Sequence, residues 1–242
     1  MLRAYSETVP WEVRRAGSRP VTSTDWLHSA HSFAFGAHYD PDKLAFGSLL
    51  ALNVDQVEPG DGYPRHRHAS VEILTWVLSG VLEHVDATGN RLVRPGTLQY
   101  LSAGSGVEHA ERSGSPVEPV RVVQMWLAAA EADGPPRYRT ADPPLADGGL
   151  VLAASGRRPA PIGLRQPAAE LFLGRPAAGS TVPLPAAAYL HLFVLDGVVS
   201  VQAADQRDRL AAEDALRATG GQPIVLTVEQ DAELLIWAMN TT

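Results

Sequence analysis

Residues 60–68 read Gly-Asp-Gly-Tyr-Pro-Arg-His-Arg-His, and they place His66 and His68 two positions apart. Side chains two apart along a β-strand point to the same face, so both imidazoles can approach one point inside a barrel. The glycines and the proline ahead of them are turn signals of the kind that precede a strand. This spacing is typical of one half of a metal site.

A second pair with the same spacing lies further along the chain. His109 and Glu111 follow a Gly-Ser-Gly turn signal at residues 104–106 and are again two positions apart. If the two pairs lie on neighbouring strands, they close a site with three nitrogen ligands and one carboxylate oxygen. The sequence therefore favours a metal centre.

Strand signals dominate the rest of the chain. Runs rich in branched and aromatic residues occur at 71–78, 120–126 and 190–195, and Gly, Pro, Asn and Asp separate such runs at short intervals. Many short strands with turn signals are typical of an all-β sandwich or barrel. We expect an all-β fold with little helix.

The strand pattern also repeats. Residues 77–81, Val-Leu-Ser-Gly-Val, align without gaps with residues 194–198, Val-Leu-Asp-Gly-Val, and the same offset places Gly62 on Gly179. A match of strand and turn signals at one constant offset indicates two copies of one β-unit.

A stretch rich in proline and glycine separates the two copies. It contains Asp-Gly-Pro-Pro at 133–136 and Asp-Pro-Pro at 142–144, a composition typical of an extended connection. We predict an N-terminal metal-binding domain at residues 1–130, a linker at 131–149 and a C-terminal domain at 150–242.

Composition excludes several classes of function. The 242 residues carry a formal net charge of −7 and no long run of Lys or Arg, which disfavours direct binding of nucleic acid. Cysteine is absent, so disulfides, thiolate metal sites and Cys nucleophiles are excluded. The sequence shows neither the apolar core of a signal peptide nor a spanning segment, so we expect a cytoplasmic protein without a membrane partner.

Residues 65–80 and 98–111 together resemble the pirin family of the cupin superfamily, with His-x-His in the first run and Gly-x-x-His in the second. The resemblance implies two tandem cupin domains, each a jelly-roll β-barrel, in a bicupin. It also implies that the metal ligands are His66, His68, His109 and Glu111. The family favours Fe(II), while imidazole ligands also suit Ni, Cu, Mn, Co or Zn.

Other residues are assigned relative to this motif. In many other cupins a glutamate ligand follows the His-x-His pair, and Glu72 lies near that place, so Glu72 is a candidate competing ligand or a candidate group that contacts the ligands without binding the metal. His28, His31, His38 and His84 have no partner at ligand spacing that the motif explains, and they are interpreted as packing or surface residues. The positions that align with the four ligands in the second copy cannot bind metal, and we expect a metal-free C-terminal domain; they are Pro183, Pro185, Leu226 and Val228.

Two functions remain open at this point. The resemblance implies a quercetin 2,3-dioxygenase that opens a flavonol with O2, with Glu111 as the candidate base for the substrate hydroxyl. The alternative is a non-enzymatic, iron-dependent regulatory protein that binds a protein partner.

Overall fold

The computed structural model describes residues 11–130, 134–145 and 148–240, and the all-β prediction is confirmed for them. The helical elements among these residues are two single 3-10 turns, Ala16–Ser18 and Pro41–Lys43. No helix in this part of the chain is long and apolar enough to cross a bilayer.

The strands of the described residues are, in chain order, β1 (Trp11–Arg14), β2 (Val21–Ser23), β3 (Leu27–His31), β4 (Leu49–Val57), β5 (Gly62–His68), β6 (Val71–Ser79), β7 (Leu82–Asp86), β8 (Gly89–Val93), β9 (Leu98–Ser102), β10 (Val107–Ser113), β11 (Val120–Ala128), β12 (Arg137–Ala141), β13 (Leu150–Ser155), β14 (Ile162–Gly163), β15 (Ala169–Gly174), β16 (Thr181–Pro183), β17 (Tyr189–Ala203), β18 (Gln206–Ala211), β19 (Ala215–Thr219) and β20 (Val225–Met239). These strands belong to two compact units, each with many contacts inside it. The N-terminal unit comprises Arg19–Pro143 and Arg158–Pro167, and the C-terminal unit comprises the remaining described residues.

The N-terminal unit contains two antiparallel sheets. One has the order β5-β10-β7-β8, and the other has the order β12-β9-β6-β11-β4-β3-β2. The buried residues of this unit include two apolar clusters, one around Val57, Val77 and Val122 and the other around Ile73 and Leu101. Side chains two residues apart along a strand share a face. A residue that lies between two core positions on the same face of a strand therefore also points inward.

Those intermediate positions carry polar side chains. Thr75 lies between Ile73 and Val77 on one face of β6, and Gln99 and Gln124 share a face with Leu101 and Val122. All three polar side chains are buried, as are those of Asn53 and Asp55, which share a face of β4 with Val57. A polar layer therefore lies between the two apolar clusters, and burial of this kind requires hydrogen-bond partners.

The C-terminal unit is built on a sheet of order β1-β19-β17-β20-β15-β13, with β16 on β20 and β18 on β17. A large apolar cluster lies in this unit, and Leu192, Leu216 and Ile236 are among its buried residues. Two of the positions that align with metal ligands, Leu226 and Val228, belong to this apolar core. The metal-free state of this domain stays a prediction.

The predicted repeat is visible at two aligned glycines. Gly80 lies between β6 and β7, and Gly197 lies within β17 where its pairing with β20 shifts in register. Their φ angles, +72° and +86°, fall in the left-handed region that favours glycine. A Cβ at Gly80 would collide with the backbone oxygen of Pro119, and a Cβ at Gly197 would collide with that of Asp231. The same positive φ and the same close backbone approach therefore occur in both copies.

Part of the predicted linker is a strand. Residues 137–141 form β12, which pairs with β9, and the hydroxyl of Tyr138 donates to Oε1 of Gln99 at 3.0 Å. Sequence composition missed this strand because its residues alternate weakly between buried and exposed sites. The exact domain limits stay a prediction.

We predict that Gly80→Ala destabilises the protein more than Gly96→Ala. Both glycines have positive φ, at +72° and +85°, so both substitutions strain the backbone by about 1–2 kcal/mol. Space around the Cβ position is open at Gly96, whereas at Gly80 the backbone must also shift, which adds about 1–3 kcal/mol. Urea unfolding of both variants measures the difference, and equal losses would contradict the close approach.

Candidate metal centre

A bulge between β5 and β10 aims two side chains of β5 at the same place. His66 pairs with His109 and Tyr63 pairs with Glu111, so β5 spans three steps where β10 spans two. Pro64 lies within this bulge, where its missing N–H is tolerated. The extra residue allows His66 and Tyr63, which are three positions apart, to line one pocket.

The three predicted histidine ligands converge. The ring centroid of His66 lies 4.6 Å from that of His68 and 4.5 Å from that of His109. Each of the three rings has one nitrogen that lies within 4.8 Å of a nitrogen of the other two. Nδ1 of His66 lies 2.7 Å from the backbone oxygen of Pro64, which accepts a hydrogen bond from it. In the neutral ring Nε2 of His66 is therefore an acceptor, and it lies 2.8 Å from Nε2 of His68.

Burial keeps two of these rings neutral. It lowers the pKa of His68 to about 4, with a further contribution from the charge of His66. Burial likewise lowers the pKa of His109 to about 4, although the nearby Glu111 carboxylate opposes this shift. Neutral imidazoles carry the free lone pair that a metal needs.

Glu111 is buried and firmly held at the centre of the polar layer. Nε2 of Gln99 donates to its Oε1 at 2.6 Å, and Nε2 of Gln124 donates to its Oε2 at 2.9 Å. Burial alone would raise the pKa of Glu111. The opposing effects are larger in sum, above all the hydrogen bond with His84 and the charge of His109, and they lower the pKa to about 2. Glu111 is thus an ionised carboxylate beside three imidazoles.

His84 is part of this cluster, contrary to its interpretation as a packing or surface residue. The pairing of β10 with β7 places His84 opposite Glu111 and Asp86 opposite His109. Nδ1 of His84 lies 3.4 Å from Oε1 of Glu111 and 3.4 Å from Nδ1 of His109, while its Nε2 lies 3.3 Å from Oδ2 of Asp86. The available signal was the His-x-Asp spacing at residues 84–86.

The donor set fits a cation. Nε2 of His109 is buried and has no hydrogen-bond partner, and Nε2 of His66 and of His68 face each other. A buried polar atom without a partner is costly, and a cation between these nitrogens would satisfy all three. His66, His68, His109 and Glu111 could therefore hold a metal, with Gln99, Gln124 and His84 fixing the carboxylate.

Glu72 lies elsewhere in the unit. It is on the opposite face of β6 from Thr75, fully buried, and its Oε2 accepts from the hydroxyl of Tyr100 at 2.5 Å and from the backbone N–H of Arg165 at 2.9 Å. Strand alternation therefore directs Glu72 away from the polar layer, and we leave it out of the candidate site.

An open pocket leads to the histidines. It has a volume of about 180 Å³ and is lined by Phe35, Asn53, Tyr63, His66, His68, Glu111, Gln124 and Trp126. The ring of Trp126 lies 5.0 Å from that of His68 and 5.2 Å from that of Phe35. Aromatic walls with a few converging polar groups are typical of a small-molecule site.

Comparisons with known proteins point to one family. The sequence model of the Pirin family matches residues 12–127. A Mycobacterium tuberculosis protein, "Putative quercetin 2,3-dioxygenase Rv0181c", is 42% identical over 238 residues, which cover 96% of each chain. The chain belongs to the pirin family.

Other pirins extend the comparison. A Caulobacter vibrioides pirin-like protein is 33% identical over 220 residues, which cover 87% of this chain and 91% of the relative. The crystal structure of the bacterial pirin YhhW from Escherichia coli in complex with nickel(II) is 29% identical, with a TM-score of 0.89 over 96% of this chain and all of that one. The predicted bicupin fold of two jelly-roll domains is confirmed.

We predict that His109→Ala weakens Ni(II) binding by more than about 100-fold. Loss of a direct ligand lowers metal affinity more than loss of a residue that only orients a ligand. The matched control is His28→Ala, since His28 is exposed and lies outside the cluster. Isothermal titration of nickel measures both affinities. Equal affinities for the two variants would contradict the proposed ligand set.

Replacement of His84 tests whether this residue orients the predicted ligands without binding the metal itself. His84→Ala removes one contact to Glu111 and one to His109, while Gln99 and Gln124 still hold the carboxylate. We expect nickel affinity to fall by about 10- to 100-fold with the fold retained. The same titration measures it, and a loss as large as that of His109→Ala would instead make His84 a ligand.

Proposed function

We propose that this pirin is a metal-dependent dioxygenase of the quercetin 2,3-dioxygenase type, which opens a flavonol with O2. The observation that carries the proposal is the cluster of three imidazoles, His66, His68 and His109, at an open pocket with aromatic walls that Glu111 also lines. A relative from Escherichia coli, 39% identical over 127 residues, is named quercetin 2,3-dioxygenase and supports it.

In this proposal His66, His68, His109 and Glu111 hold one divalent metal. Fe(II) is the ion that the family resemblance favours, and nickel is the ion bound in the YhhW structure. Four protein ligands leave coordination positions free, and the bound metal would supply a Lewis-acidic point for an ionised hydroxyl and O2.

The walls of the pocket would bind and orient the substrate. Phe35 and Trp126 contact each other edge to face, with an interplanar angle of 80°, and present apolar surface to a planar ring. The side-chain amide of Gln124 is fixed by its bond to Glu111 and by the indole N–H of Trp126, which donates to its Oε1 at 2.9 Å. A fixed wall orients a flat ligand at little entropic cost.

Glu111 is better suited to hold the metal than to move a proton. Both of its oxygens already accept hydrogen bonds from Gln99 and Gln124. A base that must release such partners before it accepts a proton is poorly placed. Its role as the base stays a prediction, and so does the cytoplasmic location.

The test is flavonol turnover by the reconstituted protein. We expect Fe(II)- or Ni(II)-loaded protein to consume quercetin and O2 and to release carbon monoxide, and His66→Ala to lose both metal and turnover. Absorbance, an oxygen electrode and a carbon monoxide assay measure the reaction, with His28→Ala as the control. Stoichiometric metal without turnover would contradict the enzyme and favour the regulatory alternative.

A further inference from the structure

A carboxylate that the predicted metal site does not use lies behind one wall of the pocket. Asp55 is 1% exposed, lies on β4 and shares a face with Asn53, which lines the pocket. The hydroxyl of Tyr63 donates to its Oδ2 at 3.1 Å, and the hydroxyl of Ser29 donates to its Oδ1 at 2.5 Å. Tyr63 lines the pocket as well, so it connects Asp55 to the place where a substrate would bind.

We propose that Tyr63 and Asp55 form the proton-accepting pair of this pocket, with Tyr63 meeting the substrate hydroxyl and Asp55 taking the proton. This inference rests on the proposed function, since it concerns an aromatic substrate that binds through an ionised hydroxyl. It assigns the base to residues that lie outside the metal ligand set.

The environment of Asp55 suits it to accept a proton. Burial raises the pKa of Asp55 to about 6, although the hydrogen bonds from Ser29 and Tyr63 oppose the shift. A base works best when its pKa lies close to the operating pH. The hydrogen bond from Tyr63 also fixes the geometry through which the proton would pass.

The transfer balances without an oxidant or reductant. The O–H bond of the substrate breaks and its proton binds to Oη of Tyr63, while the former Tyr63 proton passes to Oδ2 of Asp55. The negative charge moves from Asp55 to the substrate oxygen, and Tyr63 stays neutral before and after. A buried carboxylate loses its charge, and the anion forms where imidazoles and a cation can stabilise it.

Polar contacts on β3 and β4 hold the side chains around Asp55. Oγ of Ser29 lies 3.4 Å from Nδ1 of His31, which lies 3.0 Å from Oδ1 of Asn53. An amide oxygen only accepts a hydrogen bond, so Nδ1 of His31 carries the proton and cannot take one from Ser29. The Ser29 hydroxyl therefore donates to Oδ1 of Asp55, and Oδ2 is the oxygen that faces Tyr63.

The experiment follows ionisation of a bound flavonol in the absence of O2. Ni(II)-loaded protein is mixed anaerobically with quercetin in a stopped-flow instrument, and the growth of flavonolate absorbance is recorded. The variants are Tyr63→Phe and Asp55→Asn, with Tyr39→Phe and Asp25→Asn as matched controls at exposed positions. Nickel content and circular dichroism of each variant report whether site and fold are intact.

We expect ionisation to slow by at least about 100-fold in Tyr63→Phe and in Asp55→Asn, with nickel content unchanged and both controls like wild type. Ionisation at the wild-type rate in both variants would overturn the pair and return the base to Glu111. Carbon monoxide release in air tests the proposed function separately. Wild-type protein that ionises quercetin through this pair but releases no carbon monoxide would contradict the dioxygenase and keep the pair.

Discussion

The pairing of β5 with β10 is the constraint on which the site depends. It places His66 opposite His109, and the bulge at Pro64 places Tyr63 opposite Glu111. A shift of this register by one residue would turn the side chains of one strand to the other face and separate the imidazoles. Because β7 pairs with the other edge of β10, the same strand also brings His84 to Glu111. One central strand thus positions both the predicted ligands and the groups that contact them.

The polar layer around this strand explains why the unit tolerates so much buried polarity. Gln99, Gln124 and His84 all contact Glu111, so the carboxylate is fixed from several strands at once. Apolar clusters on both sides exclude water and strengthen these interactions. In the C-terminal unit the aligned positions Leu226 and Val228 belong to an apolar cluster. The two copies share a glycine at the same aligned position but differ in the side chains at the positions of the predicted ligands.

The sequence predicted the parts of this account that depend on local spacing. His66 and His68, like His109 and Glu111, are two apart, and strand alternation alone places each pair on one face. The matching glycines, Gly80 and Gly197, are also local signals because a backbone with positive φ favours glycine. Strand and turn signals predicted the all-β fold, and the family resemblance added the bicupin architecture and joined the two pairs into one ligand set.

The remaining features depend on contacts between strands that are distant in sequence. His84 has no ligand spacing to any predicted ligand, and only the β7 register brings it to Glu111. Asp55 looks like an isolated charge within β4 until Tyr63 and Ser29 contact it from β5 and β3. Strand β12 was read as linker for the same reason, since its partner β9 lies far from it in sequence. Composition and periodicity do not encode such pairings.

Anomalous X-ray diffraction from crystals of the nickel-loaded protein would locate the ion and decide its ligands. Two groups of potential ligands share His109, one with His66 and His68 and the other with His84 and Glu111. We expect one strong anomalous peak about 2.0–2.2 Å from Nε2 of His66, His68 and His109 and from a carboxylate oxygen of Glu111. A peak at Nδ1 of His84, distant from His66 and His68, would contradict this ligand set.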